Sequence, residues 1–559
     1  DLAQAQIVQD PFPFHFPELD ASPHRLFAMP DCQQVKIEDA TIDQLQEYLQ
    51  DGSLTSVQLL DCYIERSFQT GEYINSVLQI NPDARCIAAT LDQERKKGHV
   101  RGPLHGIPFL VKDNFASKDK MQTTAGSWAL QGSIVPRDAF AVKKMREAGA
   151  VLMGKATMSE WADMRSTNYS EGYSARGGQG RSSFNFNSNP GGSSTGSALA
   201  VANNVVPISL GTETDGSVIN PAERGAIVGI KPTVGLTSRD GVIPESIHQD
   251  SVGAFGKTVR DAVYVLDATY GVDERDNYTS AQVGKTPKSY ARFLSKAKAL
   301  KGARFGIPWL SFWQYVAPEQ LTVLLDMVKM IEEAGATVIN GTELPHWETI
   351  VSPDGWDWDY GTTRGFSNES EYTYIKVDFY NNLQKYLAEL SNTNMRNLAD
   401  IMAYNIDNVI TEGGTPGINP YFGSGQDGFD AAFATLGVQD QTYWEALGFC
   451  QRTTREEGID AALRRPRGQK DLHALLVPPE VGQSYQIAAQ AGYPYITVPA
   501  SVDPVSGVPF GLGLVGTAFS EPTLITYASA IEDLMVSSGS DYQRARTPPQ
   551  WMGYLDRGR

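Results

Sequence analysis

From Gly106 to about residue 235 the chain alternates strand-length apolar runs with stretches of helical character, and no other feature narrows its fold as far. "GIPFLVKDNF" (Gly106 to Phe115) is a short apolar run that ends in Lys112. "GAVLMGKA" (Gly149 to Ala156) is a second, and "VVPISL" a third. Runs of about four to eight apolar residues suit strands buried on both faces, and their alternation with helices predicts α/β architecture. Ahead of them, Ile42, Leu45, Tyr48 and Leu49 recur at helical spacing after Thr41. Ser53 or Thr55 is placed to cap a second helix with Val57, Leu60 and Ile64 on one face, and a third covers Ala84 to Lys97. Near the C-terminus "YPYITVPAS" and "VPFGLGLVG" read as two buried strands, with "TLITYASAIEDLM" as a closing amphipathic helix.

Two regions depart from this rhythm. Residues 1 to about 35 carry Pro11, Pro13, Pro17, Pro23 and Pro30 among aromatics, which predicts an extended arm laid on a single large domain over 36–559. The stretch from about 340 to 440 is rich in Trp, Tyr and Asn, with helical runs such as "LQKYLAELSN". It is expected to be an insertion lying over the core.

Charge and cysteine content restrict the function classes. With 47 Lys plus Arg against 65 Asp plus Glu, the chain carries a net charge of −18, which repels phosphate backbones and anionic lipid. Neither nucleic acid nor a membrane is an expected partner. No apolar run approaches the ~20 residues of a membrane-spanning helix. Cys32, Cys62, Cys86 and Cys450 form no metal-ligand spacing and are too few for a disulfide scaffold, though they allow one or two bridges. No metal and no cofactor is expected. Sequons at Asn168, Asn277, Asn340 and Asn368, with Asp1 rather than Met at the start, fit a secreted protein whose signal peptide has been removed.

Three short patterns imitate other chemistries. Gly149 to Ala156 nearly spells a phosphate loop, but Ala156 replaces the hydroxyl residue that would bind magnesium, and the interior is apolar. "GSGQDG" (Gly423 to Gly428) matches G-x-G-x-x-G outside any strand–turn–helix context. "GSSTG" (Gly192 to Gly196) fits a nucleophile elbow, which would make Ser194 a nucleophile served by His248, His346 or His473 and an Asp. An elbow needs a buried strand before it, whereas "RSSFNFNSNPG" is polar and turn-forming.

The segment Asn189 to Ala222, "NPGGSSTGSALAVANNVVPISLGTETDGSVINPA", reads differently. Gly191 and Gly192 permit tight turns, Ala198 to Asn203 forms a small-residue helix, and "GTETDGS" is a turn that delivers Ser217. Successive N–H groups in such a turn form a nest suited to a developing oxyanion. Spacing alone does not separate this from two Gly/Ser-rich loops flanking a strand.

The same segment resembles the signature of the amidase signature family, GGSS-x-GS followed by a helix, a strand and GT-x-x-x-GS. "SLTSVQLLDCYIERS", "GPLHGIPFLVKDN", "GAVLMGKATMSEWA", "GIKPTVGLTSRDGVIP" and "AGYPYITVPAS" fit in the same order, so the likeness spans most of the chain from about residue 40. It implies an α/β/α domain around a mixed sheet. It also implies hydrolysis of a carboxylic amide through Lys112 as base, Ser193 as proton bridge with a cis peptide bond, and Ser217 as nucleophile. Backbone N–H groups of Thr214, Asp215, Gly216 and Ser217 would bind the oxyanion. Ser194 would steady the serine network.

Departures from the commonest family form narrow the substrate. Asp215 stands for a glycine, and Ile219 stands for an arginine suited to a substrate carboxylate, which argues against free glutamine and tRNA amidation. "GTETDGS", "GYSARGGQ" and "VGLTSRDG" resemble the peptide-amidase branch, in which Asn usually occupies the place of Asp163. Asp163 is therefore a candidate for facing the cleft, against the plainer reading of a solvated carboxylate. Trp356, Trp358, Tyr360, Phe366, Tyr421 and Phe422 are candidates to line a pocket for bulky acyl groups, or to form aromatic core. A small amide or peptide amide is the expected partner. A non-catalytic binding protein is the alternative from another class, although it would be expected to lose one of the three residues.

Overall fold

The apolar runs become the middle of one eleven-stranded mixed sheet. The computed structural model describes residues 27–538 and 549–553. Its strands are β1 (Val77–Ile80), β2 (Pro108–Lys112), β3 (Val151–Ala156), β4 (Tyr173–Ser174), β5 (Gly178–Gln179), β6 (Ile208–Glu213), β7 (Val228–Lys231) and β8 (Ser251–Gly256). There follow β9 (Arg304–Ile307), β10 (Thr337–Asn340), β11 (Ala474–Val477), β12 (Tyr495–Val502) and β13 (Pro509–Val515). The large sheet runs β1-β3-β2-β6-β8-β7-β12-β13-β11-β9-β10, and β4 and β5 make a separate ribbon.

Strands β2, β3, β6, β7 and β8 are buried at every residue, in keeping with their largely apolar sequences. Strand β2 pairs in parallel with β3 on one side and β6 on the other, with Phe109 opposite Ile208 and Val111 opposite Leu210. Lys112 at the end of β2 and the turn after Glu213 at the end of β6 thus emerge side by side. In open α/β sheets the crevice beyond the strands' carboxyl ends is where ligands bind.

Thr41 and Thr55 begin the first two helices, Ile42–Asp51 and Ser56–Ile74, each with a capping box closed by a glutamine three residues on. The third, Ala84–Lys96, stops one residue short of the expected end. The helix Thr195–Ala202 is buried all round, which its small side chains permit, and packs on β6. There Ser197 Oγ donates to Leu210 O at 2.9 Å, and Ser209 Oγ donates to Ser197 O at 2.7 Å.

The segment expected to lie over the core is largely helical. Its main helices are Glu371–Glu389, Leu398–Asp407, Asp427–Ala434 and Gln441–Thr454, and helical structure continues to Leu463, beyond the expected limit of 440. The chain then returns to the sheet in β11.

Residues 1–26 of the expected N-terminal arm lie outside the described residues. Beyond them, Phe27 stacks on Trp551 at 3.7 Å between ring centroids, and Cys32 is disulfide-bonded to Cys62 in the second helix. Closing a loop of 30 residues stabilises the fold by about 3.6 kcal/mol in the chain-entropy description. Cys86 is exposed and Cys450 buried, both outside disulfides.

Candidate active site

Lys112, Ser193 and Ser217 meet at the carboxyl ends of β2 and β6. Lys112 Nζ donates to Ser193 Oγ at 2.7 Å, and Ser193 Oγ donates to Ser217 Oγ at 2.9 Å. Lys112 and Ser193 are wholly buried, and Ser217 keeps 5% of its surface. The peptide bond between Gly192 and Ser193 is cis. Lys112 Nζ is also held by Thr212 Oγ1 at 3.0 Å and Thr212 O at 3.3 Å, while Asn114 Nδ2 donates to the same hydroxyl at 2.9 Å. Burial pulls the Lys112 ammonium down to about 8, against the opposing influence of the Glu245 and Asp163 carboxyls. At neutral pH a useful fraction of this amine is therefore a base, hydrogen-bonded through one hydroxyl to another.

Ser194 is not part of that line. Its Oγ donates to Thr212 O at 3.1 Å and accepts from Thr212 N at 3.3 Å, and its own N–H reaches Ser217 O at 3.3 Å. It ties the start of its helix to β6 and to the nucleophile turn. No strand leads into it, unlike a nucleophile elbow. The three histidines offered for it are engaged elsewhere. His248 bonds the hydroxyls of Tyr443 and Tyr278, His346 pairs with Glu457, and His473 bonds Arg304.

The turn Thr214 to Ser217 follows β6 directly. Gly216 has φ 77°, the left-handed conformation that glycine adopts without penalty, and a Cβ there would lie 2.5 Å from the Tyr485 ring. Glu213 steadies the turn from behind, accepting from Val218 N–H at 2.7 Å and Ile219 N–H at 2.9 Å, with Gly216 N–H also in reach. Of the four amides expected to bind an oxyanion, Gly216's is thus shared with Glu213. Those of Asp215 and Ser217 donate to no protein acceptor among the described residues. Thr214 O accepts from Gln249 Nε2 at 3.0 Å. In a trans peptide this turns the Asp215 N–H to the opposite side.

Asp163 is not a solvated helix carboxylate. Trp161, Ala162 and Asp163 all have positive φ (52°, 52° and 81°), forming a left-handed turn that folds the half-buried Asp163 towards Lys112. Burial, with Glu171 alongside, holds its carboxyl well above the ordinary range, and its Oδ1 has no partner. Asp215 likewise sits beside another carboxyl, Glu371, and accepts Trp356 Nε1 at 2.7 Å on Oδ2.

Most of the aromatic candidates pack on other rings or on an arginine. Trp358 stacks on Tyr372, Tyr421 stacks on Tyr173, and Phe422 lies under the Arg165 guanidinium. Trp356 is the member that contacts the nucleophile turn.

Thr212, Asn114, Gln249, Glu245 and Glu371 were not singled out from the sequence. Thr212 and Asn114 stand inside the motifs that carry Ser217 and Lys112 and were legible there. Glu371 sits at the start of a helix 154 positions past Ser217 in the numbering, where an acidic residue is ordinarily a helix-dipole partner.

Known proteins resemble this chain over most of its length. Residues 58–414 match the Amidase family model. A Schizosaccharomyces pombe protein carrying an amidase name is 56% identical over 522 residues, which is 92% of this chain and 88% of its own length. An Arabidopsis thaliana protein carrying an amidase name is 39% identical over 502 residues, 89% of this chain and 90% of its own. Among solved structures, native peptide amidase from Stenotrophomonas maltophilia superposes with a TM-score of 0.79 at 37% identity, over 92% of this chain and 98% of that one. A mixed α/β scaffold with a lysine–serine–serine line thus stands beside relatives that match it over most of their own length. The chain belongs to the amidase family, and it is an amidase.

Proposed function

We propose that the protein hydrolyses a carboxylic amide through a covalent acyl-enzyme on Ser217, with Lys112 as base and Ser193 as the proton bridge. The observation that carries this is the buried line from Lys112 Nζ through Ser193 Oγ to Ser217 Oγ, at 2.7 and 2.9 Å. As Ser217 Oγ attacks the carbonyl carbon, its proton passes to Ser193, whose own proton passes to Lys112. The Asp215 and Ser217 amides face the carbonyl oxygen as it gains charge. Protonated Lys112 then returns a proton through Ser193 to the departing nitrogen, releasing ammonia or an amine. Water enters, the relay takes its proton, and the acid leaves with Ser217 restored.

Primary amides and peptide C-terminal amides are the substrate class this reading favours, supported by the likeness to peptide amidase and by Ile219 in place of a carboxylate-binding arginine. Esters and carbamates of similar size meet the same relay. A fluorophosphonate probe is expected to add one adduct, located by peptide mass spectrometry on Ser217, and Ser194→Ala should label like the wild type. An adduct on Ser194, or none, would overturn the assignment and favour the elbow or the non-catalytic binding protein.

We further infer an oxidising compartment, in keeping with secretion. The support is the Cys32–Cys62 bridge, a bond that cytosolic thiol pools keep reduced, and the exposure of the sequon residues Asn168, Asn277 and Asn340. Asn368 is half-buried and donates to Glu445 at 3.1 Å. Protein isolated from its source should show only Cys86 and Cys450 titrating as thiols in denaturant, with glycan on some of the three exposed sequons and none on Asn368. Four thiols before reduction would refute this.

A further inference from the structure

The turn that follows β6 is held from outside the sheet by one carboxylate of the helical segment. Glu371 is 2% exposed and stands at the first turn of the helix Glu371–Glu389. Its Oε1 accepts Gln249 Nε2 at 2.8 Å, and its Oε2 accepts Gln486 Nε2 at 3.0 Å and Gln490 Nε2 at 2.8 Å. Three amide donors on one buried carboxyl mark it as the ionised member of any pair it joins. Its neighbour is Asp215, whose carboxyl faces it within hydrogen-bond reach and also accepts Trp356 Nε1. Burial and the facing Glu371 carboxyl hold Asp215 well above the ordinary carboxylate range, which favours its protonated form. Gln249 makes a second connection, since the Nε2 that touches Glu371 also donates to Thr214 O, and its Oε1 is fixed by the Tyr374 hydroxyl.

We propose that Glu371 is a positioning residue that sets the oxyanion-binding turn, through a proton shared with Asp215 and through Gln249 on Thr214 O. The inference rests on the reading of Ser217 as nucleophile given above. Glu371 touches no reacting atom. By holding the Thr214 carbonyl it fixes the direction of the next N–H, and by keeping Asp215 protonated it keeps a negative charge off the turn where the oxyanion forms. The titratable groups facing the pair are Glu213 and Lys231 from the sheet, Glu245 from the loop after β7, Tyr374 from the helix that carries Glu371, Cys450 from the helix Gln441–Thr454 and Tyr485 from the helix Gln483–Ala491. Lys231 is the one base among them, so rising pH adds repulsion without a balancing cation.

The experiment compares full-length Glu371→Gln, Asp215→Asn, the double variant and Ser217→Ala, with turnover of a peptide amide measured from pH 6 to 10. Glutamine at 371 removes the carboxylate charge that holds the proton on Asp215, Asp215 ionises, and kcat should fall about a hundredfold with KM within about threefold, the effect of losing one oxyanion donor. Adding Asp215→Asn removes the stranded charge and should recover at least about tenfold of that loss. Asp215→Asn alone should lack the alkaline fall in kcat that the wild type shows. A Glu371→Gln enzyme within twofold of wild type, or a double variant no better than Glu371→Gln, overturns the proposal. If Glu371→Gln does not fold, Asp215→Asn decides by whether the alkaline limb persists. Ser217→Ala separates the two claims: an active alanine variant sinks the nucleophile assignment, whereas an inactive one beside an active Glu371→Gln sinks only the role of Glu371.

Discussion

Ser217→Ala lowers amide turnover by at least about 10⁴-fold, the scale of loss when a catalytic unit loses its nucleophile. The alanine removes the one hydroxyl that is both in line with Ser193 and next to free amides of the turn. Neither remaining hydroxyl replaces it. Ser193 Oγ already stands between donor and acceptor, and Ser194 Oγ is committed to Thr212. Binding should survive, because little of the cleft changes shape when a buried hydroxyl is lost. Single-turnover assays with excess enzyme, beside calorimetric binding of an unreactive amide, check both halves. Turnover above about one per cent of wild type would refute the assignment.

Lys112→Met lowers kcat/KM by about 10³–10⁴-fold and flattens its dependence on pH. The sign follows from burial. Removing water disfavours the ammonium, so the group loses its proton at about 8 rather than 10.5. Below that point the protonated amine cannot accept Ser193's proton, and kcat/KM should rise tenfold per pH unit. Above it the amine is neutral and the rise ends, and the fall expected when Asp215 loses its proton lies further to the alkaline side. Methionine fills the same space without a base, so the rising limb should vanish with the activity. A methionine variant that keeps a limb centred near 8 would show that another group governs it. Lys155 and Lys231 are also pulled to about 8 by burial, but each is bonded to backbone carbonyls away from the serines.

The strands of the sheet were legible because their information is local, whereas Lys112, Ser193 and Ser217 were assigned only through the resemblance to a family signature. An apolar run such as Phe109-Leu110-Val111 can satisfy itself only as a buried strand, and the glycines around Ser193 and Ser217 permit the turns those serines need. The surrounding shell was not legible. Glu371 acquires its meaning from Gln249, Gln486 and Gln490, which arrive from three other places in the chain. Asp163 stayed open between facing the cleft and being solvated, because the left-handed turn that half-buries it contains no glycine and its direction is imposed by packing. Tyr421 and Phe422, read as pocket candidates, found other rings and a guanidinium instead. Long-range pairings of this kind carry no periodic signal.

The bonds from Glu371 to the nucleophile turn have a consequence for engineering. The helical segment between β10 and β11 is the natural place to exchange residues when a new substrate is wanted, since it supplies no reacting atom. Its first long helix nevertheless carries the counter-carboxylate for Asp215 and the partner of Gln249. A transplant chosen for selectivity alone would therefore detune the chemistry it was meant to redirect. Grafts that keep Glu371, together with Gln486 and Gln490 beyond the segment, would alter which amides enter while preserving how they are cut.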